Sequence, residues 1–146
     1  MHFTYPALLA PDAAGGYVVT FRDIPEAITQ GDNLQEALRE AADCLEEAIA
    51  GRIDDKETIP QPSALESGEY HVAVPIETAL KAALYQAVTE LGITNVELAR
   101  RIQADEKVAR RLLDPHHGSK PNLMEKALAA VGHRLNLRFS SEAAHR

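Results

Sequence analysis

The stretch "NVELARRIQADEKVARRLLD", Asn95–Asp114, decides how the second half of this chain is read. Thr94 followed by Glu97 has the spacing of a capping box and starts a helix that runs through Ile102. After Gln103–Ala104 another helix begins, with Asp105 as its N-cap. Leu98, Ala99 and Ile102 of the first would face Val108 and Leu112 of the second, and the small Ala99 lets the two axes approach. Two helices packed steeply across a short turn are a helix-turn-helix, whose second helix enters the major groove of DNA. The outer side of that second helix carries Lys107, Arg110 and Arg111, spaced to share one face. Arg110 is the best base reader, because a guanidinium can bond guanine O6 and N7 together. His116, Ser119 and Lys120 in the following loop suit phosphate contacts. Two features pull the other way. Gln103 stands where such turns often hold Gly, and Asp105 and Glu106 lie near the path of phosphates. The plainer alternative is a helical packing module with a solvated basic face. The agreement of cap, helix spacing and basic face favours the DNA reader.

A DNA reader should be basic, yet the 146-residue chain has net charge −7. Dividing the chain resolves this. Residues 1–94 carry 5 Lys/Arg and 16 Asp/Glu, whereas residues 95–146 carry 10 Lys/Arg and 6 Asp/Glu. A phosphate backbone attracts the second part and repels the first, so the two halves are expected to face different partners.

Working outward, Leu80, Ala83, Leu84, Ala87, Val88 and Leu91 fall at helical spacing, and Gly92 stops that helix. After "DPHHGSKP" a further helix over Leu123–Val131 buries Leu123, Ala127, Leu128 and Val131 and ends at Gly132. The tail "HRLNLRF" alternates Leu135, Leu137 and Phe139, the pattern of a short strand. On the N-terminal side, His2–Leu9 and Tyr17–Phe21 read as a hairpin joined by a turn rich in Asp and Gly, and "AITQG" as a short third strand. Asp32 or Asn33 caps a helix over Leu34–Ala50, with Leu34, Ala37, Leu38, Ala41, Leu45, Ala48 and Ile49 on one side and Gly51 at its end. Residues 52–69 read as a loop, and Tyr70–Pro75 as a strand that can rejoin the first sheet. The fold class is α+β. Residues 1–75 form a β-β-β-α-β domain and residues 76–146 an all-α helix-turn-helix domain.

Other chemistry finds little footing. Asp12, Asp23 and Asp32 each sit in a turn, where Asp is favoured for backbone reasons. Cys44 flanks an apolar stripe with no His near it in sequence, and a single cysteine cannot form an internal disulfide. His116–His117 is an adjacent pair, which rarely binds one metal, and no zinc spacing or phosphate-cradling Gly loop is present. No catalytic residue, metal or cofactor is therefore expected. The absence of a signal-like N-terminus and of a long apolar run points to a cytoplasmic protein with no membrane partner.

The order of segments resembles the HicB-type antitoxins of HicA–HicB toxin–antitoxin pairs. The residues that carry the resemblance are "YPALLAPDAAGGYVVTFRDIP", "AITQGDNLQEAL" and the helix after them, about residues 3–51. The stretch from "ELARRI" through "RRLLDPHHGSKPNLMEKALAAVGHRLNL" is similar to the helix-turn-helix version of the family's C-terminal domain. The resemblance implies that residues 1–75 are a partial ribonuclease-H-like fold without a catalytic site. That domain would cover a small basic ribonuclease toxin that cleaves mRNA, with Asp23, Glu26 and Asp32 as candidate toxin contacts. It further implies that residues 76–146 bind the operon's own promoter as a homodimer or higher oligomer. Many relatives have Gly and a small residue or Cys after the proline that corresponds to Pro25, where this chain has Glu26 and Ala27.

Three rivals are distinguishable. A stand-alone regulator with a ligand-sensing N-terminal domain needs an apolar pocket there. A nuclease needs Asp12, Asp23 or Asp32 to hold Mg²⁺. A purely inhibitory protein needs DNA binding that ignores charge reversal at Lys107 and Arg110.

Overall fold

The computed structural model describes residues 1–141. Strands β1 (Thr4–Pro11), β2 (Tyr17–Thr20) and β3 (Ile28–Gly31) precede helix α1 (Leu34–Asp54), and strand β4 (Glu69–Ala73) follows it. All pairings are antiparallel and the sheet order is β3-β2-β1-β4. β4 therefore joins the sheet beside β1, opposite Leu8–Thr4. Period-2 alternation puts Tyr5, Ala7, Leu9, Val19 and Val72 on the face covered by α1, where Ala37, Ala41, Leu45 and Ile49 meet them. Gly31 is required where α1 docks on β3: its Cα lies so close to the backbone of Ala37 that any side chain would collide.

Three of the five described helices start on a side-chain cap. α2 (Ile76–Leu91), α3 (Asn95–Arg101), α4 (Glu106–Leu113) and α5 (Pro121–Ala130) complete the chain after α1. Asn33, Thr94 and Asp105 are the N-caps of α1, α3 and α4, each accepting a backbone N–H three residues on. The Thr94–Glu97 pair acts as only half of a capping box. The Glu97 carboxylate is turned away to Arg100 and Arg101 at 2.6 and 3.0 Å.

Helix α1 corrects the sequence expectation at its end. It runs through Gly51 and stops only at Asp54. The reason is Ile53, which is buried and continues the stripe Ala41–Leu45–Ile49 by one more turn. That burial outweighs the modest helix penalty of one glycine. The stop is instead Lys56, at φ 59. The Lys56 N–H donates to Ile53 O and that of Glu57 to Arg52 O, the paired bonds of a Schellman ending. α2 ends the same way at Gly92, with φ 66. So does α3, with Gln103 at φ 57: its N–H donates to Arg100 O, and that of Ala104 to Ala99 O. The turn of the helix-turn-helix thus has the left-handed geometry glycine favours, imposed on a glutamine.

Other boundaries also move. β4 spans Glu69–Ala73 rather than Tyr70–Pro75: Val74 still donates to Phe3 O, but Pro75 has no N–H to pair and already caps α2. α5 starts at Pro121, suited to the first helical turn, and buries Met124 where Leu123 was expected. "HRLNLRF" forms no strand. Leu137 is 62% and Phe139 91% exposed, since no sheet edge lies there to pair with them; only Leu135 packs inward.

Two apolar clusters result, one under the sheet and one among α2–α5. α2 belongs to both. Ala82 is buried in the first, with Ala79 and Tyr85 packed on it, while Leu80, Leu84, Ala87 and Val88 are buried in the second. The acidic loop between α1 and β4 also reaches α2: the Tyr85 hydroxyl donates to Glu57 O at 2.7 Å and the Gln86 amide to Ile59 O at 2.9 Å.

A left-handed non-glycine residue costs about 1 kcal/mol or more, partly recovered by its stiffer unfolded chain. Lys56→Gly and Gln103→Gly are expected to raise the melting temperature by about 1–4 °C each, whereas Gln103→Val lowers it. A drop for either glycine variant, read by thermal denaturation, would contradict the strained ending described here.

Candidate nucleic-acid interface

α4 is the second helix of the motif and sits over α3, with Leu98, Ala99 and Ile102 on one side of the seam and Ala109 and Leu112 on the other. Val108 and Leu113 pack at its margins. Burial of this stripe turns the opposite side of α4 to water, so Lys107, Arg110 and Arg111 are all exposed. Among the described residues none of these three side chains has an acidic partner within ion-pair distance. The contrast is with α3, where Arg100 and Arg101 are both held by Glu97. Those two guanidiniums pull the Glu97 carboxyl down to about 2. The free positive charge of the motif therefore concentrates on α4. Asp105 spends one carboxylate oxygen on the Val108 N–H, which anchors it to the helix start.

The loop after α4 is more committed than its sequence indicated. His116 Nε2 lies 2.6 Å from Asp54 Oδ2 at the end of α1. That hydrogen bond, with the charge of the carboxylate, holds the imidazole above its ordinary pKa. Asp114 accepts the His116 N–H at 2.9 Å and shapes the turn. The Ser119 hydroxyl is 2.7 Å from Lys81 Nζ. Lys120 remains exposed at the N-cap of α5. Of the six residues proposed for DNA, then, four point charge outward and two are tied to other parts of the protein.

Lys81 is the residue that sequence reading missed. It is 2% exposed, in the middle of α2, and its ammonium also donates to Arg111 O in the last turn of α4 at 2.7 Å. Burial lowers its pKa to about 8, against the pull of Asp114 and Glu77. A signal existed: α2 is apolar on more than one face, through Ala79 and Ala82 as well as Leu80 and Leu84, so a lysine between them had no water to reach.

In the other half, Asp23 accepts the Ser63 N–H at 2.8 Å and its hydroxyl at 2.6 Å, pinning the α1–β4 loop. Glu26 makes a two-pronged pair with Arg52 at 2.6 and 2.8 Å, which lowers the carboxyl pKa and raises that of the guanidinium. Asp32 is exposed and its carboxylate has no partner among the described residues. Arg39, Glu40, Asp43 and Glu47 are exposed on the outer side of α1, a face with more acid than base. The crevice between α1, α2 and Pro115–His116 is lined by Glu46, Glu47, Asp54 and Glu77, so it is polar and acidic. No group of three or more metal-binding side chains occurs among the described residues. No described helix is long and apolar enough to cross a membrane.

Residues 4–83 match the family described as HicB-like antitoxin of bacterial toxin-antitoxin system. The chain belongs to this antitoxin family. It is 41% identical to "Antitoxin HicB" of Escherichia coli (strain K12) over 133 residues, 91% of this chain and 96% of that relative. "Antitoxin HicB 1" of Photorhabdus laumondii is 39% identical over 91% of this chain and 84% of its own length. "Antitoxin HicB" of Pseudomonas fluorescens (strain Pf0-1) is 36% identical over 94% of both. Likeness to these HicB antitoxins thus runs past the family match and through the helix-turn-helix.

The His116–Asp54 bond gives a checkable titration. A raised imidazole pKa stabilises the folded state below the unfolded value, and that stabilisation is lost as pH rises through the folded one. Followed by NMR, His116 is expected to titrate above its ordinary value and to return to it in Asp54→Asn. The same titration in both proteins would mean the bond is not made in solution.

Proposed function

We propose that the protein neutralises a small mRNA-cleaving toxin through residues 1–75 and represses its own operon through residues 76–146. The observation that carries the DNA half is the charge sorting on the helix-turn-helix. Glu97 pairs with both arginines of α3 and offsets one of their two charges, and it leaves Lys107, Arg110 and Arg111 of α4 unpaired, where a major groove would receive them. A reader of this kind works as a symmetric dimer or higher oligomer on half-sites about one helical turn apart, or a multiple of it. The inhibitory half rests on the family and on charge. The acidic outer face of α1 complements a basic toxin and speeds encounter with it. Asp32 is the best placed of the three acidic toxin contacts, because Asp23 and Glu26 spend their carboxylates on Ser63 and Arg52 of the same chain. Inhibition by cover needs no catalytic group, and the cytoplasm holds both promoter and mRNA.

Two experiments test the two halves. A short basic protein is expected to be encoded beside this gene and to arrest growth when induced alone, and co-expression is expected to restore growth and give a co-purifying complex. Toxicity without rescue or complex would remove the inhibitory role. For the DNA half, the full chain is titrated against a duplex carrying the region upstream of its own reading frame, at several salt concentrations. Combined Lys107→Ala, Arg110→Ala and Arg111→Ala is expected to make the log K against log salt dependence shallower by up to about 2.7 for each protomer bound. An unchanged salt dependence would place DNA binding elsewhere.

A further inference from the structure

The buried lysine of α2 lies beneath the basic surface rather than on it, and its setting is costly. Removing an ammonium from water costs several kcal/mol before compensation. Met or Leu would fill the same space between Leu80, Leu84 and Ala82 without that cost. What the lysine does with its charge is specific. One N–H meets Arg111 O at the C-terminal end of α4, where a cation also meets the negative end of the helix dipole. Another meets Ser119 Oγ, just before α5. The segment between those two contacts, Arg111–Ser119, takes in the last residues of the reading helix and all but one residue of its connection to α5.

We propose that Lys81 is a positioning residue for DNA binding: its buried ammonium sets α4 on α2 and orients the Ser119 hydroxyl outward to donate to a phosphate. The inference rests on the DNA reading above and deepens it. The chemistry follows from the donor inventory. An ammonium only donates, so Ser119 Oγ must accept from it, and the hydroxyl proton is left to point elsewhere. A hydroxyl that accepts from a cation is a stronger donor, as bonds in a chain polarise one another. Lys81 would thus extend the interface inward by one bond, from phosphate to Ser119 to the core of α2. That core includes Ala82, which is buried under the sheet, so the setting of α4 is referred to the N-terminal half of the protein.

The groups facing the ammonium are Glu77 on α2 and Asp114 after α4, with the Arg111 carbonyl in the last turn of α4 and Ser119 bonded to it. Both carboxylates favour the charged form, and burial opposes them. Below about pH 8 the ammonium is the main species; above it the neutral amine keeps only weaker donors. The folded pKa lies below the ordinary lysine value, so the folded state sheds its proton first. Folding stability therefore rises with pH above about 8, while DNA affinity falls. A lysine with a merely structural role would not move these two quantities in opposite directions.

The test uses the full chain and the duplex upstream of its own reading frame, by fluorescence anisotropy between pH 7 and pH 9, with thermal denaturation in parallel. Wild type is expected to lose affinity several-fold across this range while its melting temperature holds or rises. Lys81→Met is expected to bind about tenfold more weakly at pH 7 and to show a flatter pH profile. Ser119→Ala, a milder change at a half-buried site, is expected to weaken binding as well. In the double variant the two losses are expected to be less than additive, because both break one chain of bonds. Lys81→Arg keeps the charge and is expected to restore part of the affinity. Equal affinity and an equal pH profile for wild type and Lys81→Met would overturn the inference while leaving the DNA reading intact. Wild type that binds no duplex at pH 7 in low salt would remove both.

Discussion

The structure depends on helix α2 being buried on two sides at once. Its Ala79 and Ala82 belong to the core under the sheet, and its Leu80, Leu84, Ala87 and Val88 to the core of the helical half. Emptying one such leucine site typically costs about 2–5 kcal/mol. The polar links between the halves are weaker in kind. His116–Asp54 is well exposed on both sides, where water and salt screen the pair and leave it a small contribution. Apolar burial along α2 therefore holds the halves together, and the polar contacts choose among the orientations that burial allows. A match to the antitoxin family that ends at residue 83, inside α2, fits a helix that belongs to both halves.

Helix endings carry the second constraint. A chain that must turn from α3 to α4 in very few residues needs one left-handed position, and this protein spends it on Gln103. The strain is bearable because the two Schellman bonds and the burial of Leu98, Ile102 and Leu112 around the turn hold it in place. Lys56 shows the same economy at the end of α1. With Gln103 in this conformation the motif closes as a glycine-bearing turn would, so the departure seen in sequence leaves the geometry of the turn unchanged.

Charge is sorted at two levels. Along the chain, acid collects before residue 95 and base after it. Within the helix-turn-helix, Glu97 ties down both arginines of α3 and leaves the basic side chains of α4 open. Within the N-terminal half, Asp23 and Glu26 secure a loop and a helix end, while Asp32 stays outward. Equal formal charges thus have unequal availability, and availability decides which of them a partner can meet.

Sequence alone determined the elements whose cause is local. Thr94 and Asp105 start helices because their side chains reach N–H groups three residues on. Gly92 ends one because it can adopt a left-handed conformation. The β-β-β-α-β order follows from period-2 strands set against a period-3.6 helix. The basic face of α4 was legible for the same reason, since Lys107, Arg110 and Arg111 lie opposite Ala109 and Leu112. Tertiary structure decided what depends on partners far along the chain. Gly51 stays helical because Ile53 finds a core. Leu137 and Phe139 stay out of any strand because no edge awaits them. His116 and Ser119 are taken up by Asp54 and Lys81, which stand 62 and 38 residues away. Local spacing encodes backbone hydrogen bonding, but whether a charged side chain is spent or free is settled only by what folding brings beside it.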